Sequence, residues 1–339
     1  MITSQQLHAH DQVNTTLLVA GLVLLDSMHF VFARLLLPRI APGASVTYVL
    51  AVSTLEVGVF GLVQRRLHWQ TAKRHLWLFV AIGLLIALST AANYEAVAFI
   101  DPGTASLLSQ SSVLFNIAFG VLWMGDRLST KQIWGALLAI IGVFVISYQP
   151  GEYLRLGALV IILSSLMYAL HAALAKQYAG KIDFVDFFFF RLLFTTLTLV
   201  LLATVRGVFT VPDLPTWGLI ALVGTADVVL SRTLYYLALR RLRLSMHTIV
   251  LTLSPLASVL WAFLLFGVYP GLQQILGGTA VILGVSLVSL ARRDVVPDVA
   301  ASSVETVVRA SDDAVDDRVE GKAREVRLSG VPGVSRPER

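Results

Sequence analysis

The sequence predicts an all-α integral membrane protein with ten transmembrane helices, arranged as two inverted five-helix repeats. Of the 339 residues, 56% are hydrophobic and 14% are charged, whereas soluble domains carry about 45–50% apolar and about 25% charged residues. The apolar residues come in blocks of roughly 20, the length a helix needs to cross a bilayer. The chain also matches itself at a constant offset of 142 residues. Composition thus excludes a soluble enzyme, a disordered protein and a fibrous protein.

Apolar runs place the ten spans in order along the chain. Each run is long enough to cross the hydrocarbon core as a helix, since a helix rises about 1.5 Å per residue. Short polar or Gly/Pro-containing stretches separate the runs, and most of these connections have about 4–12 residues. The predicted spans are 15–37, 44–63, 76–99, 103–124, 132–149, 157–179, 185–205, 216–239, 244–267 and 272–291.

These spans divide the chain into four regions. Residues 1–14 form a cytoplasmic segment without Lys or Arg, so the first span is not expected to be a cleavable signal peptide. Residues 15–149 form the first repeat and residues 157–291 the second. Residues 294–339 hold ten acids and seven bases without a long apolar periodicity. This composition predicts a disordered cytoplasmic tail.

The basic residues predict the orientation in the membrane. With a cytoplasmic N-terminus, thirteen Lys or Arg residues fall on the inner side and four on the outer side. Basic residues collect on the cytoplasmic side of bacterial membrane proteins. Both termini are therefore expected in the cytoplasm of a bacterium, with the protein in the inner membrane. The basic excess records orientation, and no nucleic-acid partner is expected.

The internal repeat pairs scarce residues in a single register. Matches at the 142-residue offset include His29 with His171, Gln132 with Gln274, Gly135 with Gly277, Gly142 with Gly284 and Tyr94 with Tyr236. Because each copy has five crossings, the second copy must be inverted relative to the first. Inverted repeats place a substrate site near the bilayer midplane, between the halves.

The segment from Tyr94 to Ser147 resembles the EamA-type branch of the drug/metabolite transporter superfamily. It has a third span, a short turn, a fourth span, the turn Gly125-Asp126-Arg127 and a glycine-rich fifth span. The second copy departs from this pattern, because Gly267-Val268-Tyr269-Pro270 carries neither an acid nor a base. The resemblance covers residues 15–291 and implies transport of amino acids, other metabolites or drugs.

The middle of the first span contains two ionisable residues, and such residues cost about 2.5–3.5 kcal/mol each in the bilayer. Asp26 lies near its middle, and His29 follows on the same face. The repeat places His171 at the corresponding depth, beside Tyr168. We expect these residues to line a central cavity; the alternative is that they only hydrogen-bond neighbouring helices. Small multidrug relatives in the superfamily use a first-span carboxylate for proton coupling, which implies the same use of Asp26.

The eighth span contributes Asp227 and Arg232. Five residues apart is a poor spacing for a pair on one helix face, so each is expected to pair with another helix. Glu56 and Arg191 are the candidate partners. A buried ion-pair network and a substrate clamp both remain open. An acid and a base facing one cavity would suit a zwitterion.

Three further patterns complete the prediction. The glycines at 135, 142, 277 and 284 form small-residue faces, which favour close helix packing or a dimer contact. Phe187 to Phe190 are expected to anchor the seventh span at the membrane interface. The sequence has no glycine-rich phosphate loop, HExxH motif, metal-spaced cluster or cysteine. No cofactor or metal is therefore expected.

Together these features predict a secondary-active transporter that exports a small metabolite, an amino acid foremost, by alternating access. Coupling to protons at Asp26 or a histidine is expected, with uncoupled export as the alternative. Its partners are a small-molecule substrate, protons and the bilayer, and it acts as a monomer or a homodimer. The main rival is a multidrug efflux transporter. A membrane-embedded enzyme and a sensor are more distant rivals, and no enzymatic activity is expected.

Overall fold

The fold is an all-helical bundle in a computed structural model, which describes residues 17–124, 128–149, 153–154, 156–178, 182–241 and 251–291. One antiparallel pair of two-residue strands, Tyr148–Gln149 and Tyr153–Leu154, joins the two repeats. The helices are α1 (Leu17–Asp26), α2 (His29–Leu36), α3 (Pro42–Val63), α4 (Trp69–Arg74), α5 (Leu76–Ala96), α6 (Pro102–Ser109), α7 (Ser111–Met124), α8 (Thr130–Ser147), α9 (Leu156–Tyr178), α10 (Phe184–Arg206), α11 (Leu214–Val223), a π-helix (Gly224–Leu230), α12 (Ser231–Arg241), α13 (Ser254–Phe266) and α14 (Leu272–Ala291).

The all-α membrane class is confirmed, and the span count within the described residues is eight or nine. Eight stretches are long and apolar enough to cross a bilayer. α1 and α2 meet at a bend of 41° and make a ninth if they count as one span. The structure describes the predicted span 244–267 only from residue 251 onward. This part contains α13, an apolar helix shorter than the eight spans. Residues 1–14, the turn Gly125-Asp126-Arg127 and the tail 294–339 lie outside the described residues.

Corresponding helix starts in the two repeats use the same hydrogen bond. At the start of α8, the Ser129 N–H donates to Gln132 Oε1 at 2.9 Å. At the start of α14, 142 residues later, the Gly271 N–H donates to Gln274 Oε1 at 2.7 Å. A side chain that reaches back to the first free N–H is one half of a capping box. Residues that match at the 142-residue offset therefore form the same local structure at the two helix starts.

Equivalent helices of the two repeats pack against each other. α3 lies on α10, and the hydroxyls of Thr54 and Thr196, which are 142 residues apart in sequence, are 2.8 Å apart. α8 lies on α14, where a Cβ built on Gly284 would be 2.5 Å from the carbonyl oxygen of Gly135. A Cβ built on Gly142 would be 2.6 Å from the carbonyl oxygen of Gly277. The prediction of close glycine packing is confirmed, because only glycine allows backbones this near.

The prediction that Phe187 to Phe190 anchor the span at the membrane surface is wrong. Phe188, Phe189 and Phe190 are buried. The ring of Phe190 lies 5.5 Å from those of Trp69 and Phe79. α4 and α5 cover this end of α10, so the aromatic rings pack in the protein interior instead of contacting lipid head groups.

Candidate functional site

A cavity of about 540 Å³ lies between helices of both repeats. Six of the seven predicted site residues line it: Asp26, His29, Tyr168, His171, Asp227 and Arg232. They come from five different helical elements, so the fold collects charges that are scattered along the sequence. Glu56, the seventh, does not line the cavity.

Asp26 and Arg232 form a loose pair at the cavity wall. Asp26 is the last residue of α1, and Arg232 lies in the first turn of α12. The Asp26 Oδ1 to Arg232 Nη1 distance is 3.6 Å, with side-chain exposures of 21% and 26%. Direct hydrogen bonds to oxygen are about 2.7–3.2 Å long. The two groups therefore attract each other but leave hydrogen-bonding capacity for a third molecule.

His29 and Asp227 form a tighter pair. His29 Nδ1 lies 2.8 Å from Asp227 Oδ2, and the Asp227 side chain is only 4% exposed. His29 is the first residue of α2, just after the bend, and Asp227 is in the middle of the π-helix. A π-helix bonds i to i+5 and is frequently found at functional sites.

The π-helix changes the interpretation of Asp227 and Arg232. Each does pair with another helix, as predicted, but the partners are His29 and Asp26 instead of Glu56 and Arg191. Since the π-helix widens the turn, residues five apart reach the same cavity. The rule of three or four residues applies only to a regular α-helix.

Tyr168 and His171 lie on the α9 wall of the cavity, with ring centroids 4.5 Å apart. His171 is 6% exposed, and its Nδ1 is buried without a hydrogen-bond partner among the described residues. The hydroxyls of Tyr94 and Ser254, which also line the cavity, are in the same situation. Buried polar atoms are nearly always hydrogen-bonded, so these three atoms are candidates for contacts with a bound molecule.

Arg191 also lines the cavity, although the sequence suggested it only as a partner for another charge. Its guanidinium carbon lies 5.2 Å from the ring centroid of Phe188, within the range of a cation–π contact. A charged residue inside an apolar span is costly, and this cost is the sequence signal that could have identified Arg191 as a site residue.

Polar uncharged residues complete the wall. The Ser164 hydroxyl is 2.6 Å from Asn93 Oδ1, and Ser89 and Ser164 bond each other across α5 and α9. Ser89 and Ser164 are not among the site residues predicted from the sequence. Their signal is weak, because serine is common where membrane helices pack closely.

Glu56 has a different environment from the other predicted residues. Its Oε1 accepts a hydrogen bond from Thr225 at 2.7 Å, and its Oε2 is buried without a hydrogen-bond partner in the part of the chain that the structure describes. Thr225 belongs to the π-helix. The contact places Glu56 behind the π-helix, where it holds that element against α3.

A helical membrane bundle with a charged cavity between two repeats is the architecture of a membrane transporter. The EamA-like transporter family model matches residues 14–148 and again residues 155–290. The chain therefore belongs to the EamA-like transporter family. The resemblance drawn from the sequence is confirmed.

Curated relatives are similar at low identity. The Pseudopaline exporter CntI of Pseudomonas aeruginosa is 23% identical over 255 residues, covering 74% of this chain and 87% of that protein. A protein of Streptantibioticus cattleyicolor named "Probable terminal-alkyne amino-acid exporter" is 25% identical over 193 residues, covering 56% of this chain and 65% of that protein. A solved crystal structure with 17% identity matches with a TM-score of 0.56, over 83% of this chain and 98% of that one. The structural match supports the fold alone.

Proposed function

We propose that this protein exports a small zwitterionic metabolite, an amino acid or a compound built from one, across the bacterial inner membrane. The observation that carries the proposal is the Asp26–Arg232 pair, in which opposite charges 3.6 Å apart face one cavity. A substrate carboxylate would bind the guanidinium group, and a substrate ammonium would bind the carboxylate.

The size and charge of the cavity support this substrate class. Ligand pockets commonly measure about 300–1,000 Å³, and this cavity of about 540 Å³ accommodates an amino acid or a larger derivative. Among the described residues, Asp26 and Asp227 are its acidic lining and Arg191 and Arg232 its guanidinium lining. Such a balance suits a ligand that carries both charges.

The relatives support export as the direction. Two bacterial proteins with low sequence identity are named as exporters, one of them for an amino acid. Membership of a transporter family also favours transport over a membrane-embedded enzyme or a sensor.

Alternating access would use the two-fold arrangement of the repeats. Rocking between the halves would expose the cavity first to the cytoplasm and then to the outside. The basic residues favour cytoplasmic termini. Inward movement of protons would drive the substrate outward.

Multidrug efflux is the second candidate, favoured by aromatic rings in the cavity. Phe30, Tyr94, Tyr168 and Phe187 all line it, and aromatic faces attract organic cations. The two arginines oppose a cationic ligand, since an added positive charge would meet them in a desolvated space.

The proposed function is tested by exchange of labelled compounds in proteoliposomes, with a panel of amino acids and cationic drugs. Wild type is compared with Asp26→Asn and with Asp213→Asn, a matched control at an exposed helix cap outside the cavity. We expect exchange of at least one amino acid, reduced tenfold or more in Asp26→Asn and unchanged in Asp213→Asn. Exchange of cationic drugs alone would favour multidrug efflux. Amino-acid exchange that persists in Asp26→Asn would remove Asp26 from the binding site.

A further inference from the structure

Two helix irregularities meet at the cavity wall. α1 and α2 are bent by 41° around Ser27 and Met28, and the π-helix interrupts the span from Leu214 to Tyr235. Sharp kinks and π-turns mark places where helix geometry departs from the regular hydrogen-bond ladder. The 41° break and the π-helix, together named the two bends, are therefore positions at which the angle of a span can change.

The repeat equivalents of both irregular positions are regular. Residues 169–170, one repeat after Ser27 and Met28, lie inside the continuous helix α9. Residues 82–88, one repeat before the π-helix, lie inside the continuous helix α5. The irregularities are thus a property of one pair of spans and not of the repeat.

The His29–Asp227 pair joins the two irregular positions. His29 begins α2 directly after the bend, Asp227 is central in the π-helix, and 2.8 Å separates their bonding atoms. The equivalent positions lack such a pair, because His171 corresponds to His29 but Leu85 corresponds to Asp227. The ionisable pair and the two bends occur together on one side of the pseudo-symmetry.

Side chains of neighbouring helices form hydrogen bonds at the α1–α2 bend and at the π-helix. The Trp261 indole N–H donates to Ser27 Oγ at 3.1 Å, at the bend. Ser53 Oγ donates to the Gly224 carbonyl at 3.1 Å, and Glu56 accepts from Thr225, both at the start of the π-helix. The bends are therefore held by side chains from α13 and α3.

Within the described residues, the charged and titratable groups around the pair come from four elements. Asp26 of α1 and Arg232 of α12 line the same cavity as the loose pair, and they bring one charge of each sign. Tyr94 of α5 has its ring 6.0 Å from the His29 ring. Glu56 of α3 contacts the π-helix two residues before Asp227.

We propose that His29 and Asp227 are the coupling site, and that a proton bound or released at this pair changes the angle at the two bends. The proposal rests on the proposed function. One proton from the outer water binds the pair, and the same proton leaves to the cytoplasm for each substrate molecule moved outward. No other bond is made or broken.

The physical basis is the strength of the bond between the two bends. When His29 is protonated, the contact joins a cation to an anion in a site of low dielectric constant, so Coulomb attraction adds to the hydrogen bond. When His29 is neutral, a weaker bond remains and the two spans are free to take another angle. Asp26 and Arg232 then serve substrate binding, which separates the two tasks.

The first test measures movement of α1 at its bend and needs no substrate. The chain contains no cysteine, so Leu17→Cys and Gln177→Cys introduce two spin labels without background. Their distance is measured by double electron–electron resonance at about pH 5.5 and about pH 8.5, which bracket histidine titration. We expect a shift of the distance distribution in wild type that is lost in His29→Gln and in Asp227→Asn.

His68→Gln is the matched control. His68 also pairs with an aspartate, with its Nδ1 3.2 Å from Asp186 Oδ2, but it lies outside the cavity and away from both bends. This variant should keep the pH-dependent shift. A wild type without a shift, or a shift that persists in both site variants, would overturn the proposal. Failure of both site variants to fold would show a structural bond and overturn it too.

The second test uses proteoliposomes and separates coupling from transport. An internal pH dye reports the protons moved while the amino acid moves down its own gradient. We expect the ratio of protons moved to amino acid moved to fall at least tenfold in His29→Gln and to stay unchanged in Asp213→Asn, the control at an exposed helix cap. Wild-type net movement of the amino acid without proton movement would overturn the coupling site and leave the proposed function standing. No exchange in wild type would overturn the proposed function, while the label distances still decide on the bends.

Discussion

The glycine contact between α8 and α14 gives a prediction that is independent of any substrate. A Cβ added at Gly284 would lie 2.5 Å from both the Gly135 carbonyl oxygen and the Ala139 nitrogen. Ordinary contacts begin at 3.4 Å. Gly284→Ala therefore requires the helices to separate locally by 0.9 Å, the difference between these two distances.

The expected cost follows from two opposing effects. Overpacking of a tight interior costs about 1–3 kcal/mol, and the cost is near the upper end where both obstacles are backbone atoms. Alanine is favoured over glycine in a helix by about 1 kcal/mol. We expect Gly284→Ala to lower the free energy of unfolding by about 2 kcal/mol.

Gly218→Ala is the matched control, because a Cβ at this position in α11 meets nothing within 4 Å. It should leave the free energy of unfolding unchanged or raise it by up to about 1 kcal/mol. Unfolding of both variants is measured in detergent with increasing dodecyl sulfate. Equal effects of the same sign in the two variants would refute the close approach of α8 and α14.

Two further predictions concern hydrogen bonds between helices. Thr54→Val and Thr196→Val should show a coupling energy of about 0.6 kcal/mol in a double-mutant cycle of unfolding, since their hydroxyls are 2.8 Å apart; full additivity would contradict the contact. Asp186→Ala should lower the free energy of unfolding by about 1–3 kcal/mol, because it leaves the His68 N–H and the Thr71 hydroxyl without their buried acceptor. Asp183→Ala, which removes only a helix cap, should cost about 1 kcal/mol; a larger loss there than at Asp186 would contradict this account.

The sequence predicts the residues of the cavity well, because burying a charge in a bilayer is costly. Asp26, His29, Asp227 and Arg232 stand out in apolar spans for this reason. His171 is predicted from the repeat, because it lies 142 residues after His29. The glycine pairs of α8 and α14 follow from a pattern that close packing demands.

The partners of those charges could not be predicted. Helix periodicity assumes a regular α-helix, and the π-helix at Gly224–Leu230 changes which residues share a face. Glu56 looks like the other intramembrane acids in sequence, yet it contacts Thr225 behind the cavity wall. Phe188 to Phe190 have the composition of an interfacial anchor, and only the position of α4 shows that they are buried.

The central claim, that the cavity between the repeats binds the substrate, is tested most directly by cysteine protection. Ala172 lines the cavity, whereas Gln64 is exposed at the end of α3. Single cysteines at these positions are labelled with a water-soluble thiol reagent, with and without the amino acid that wild type exchanges. We predict that the amino acid slows labelling of Ala172→Cys and leaves Gln64→Cys unchanged. Equal labelling of Ala172→Cys in both conditions would contradict the claim.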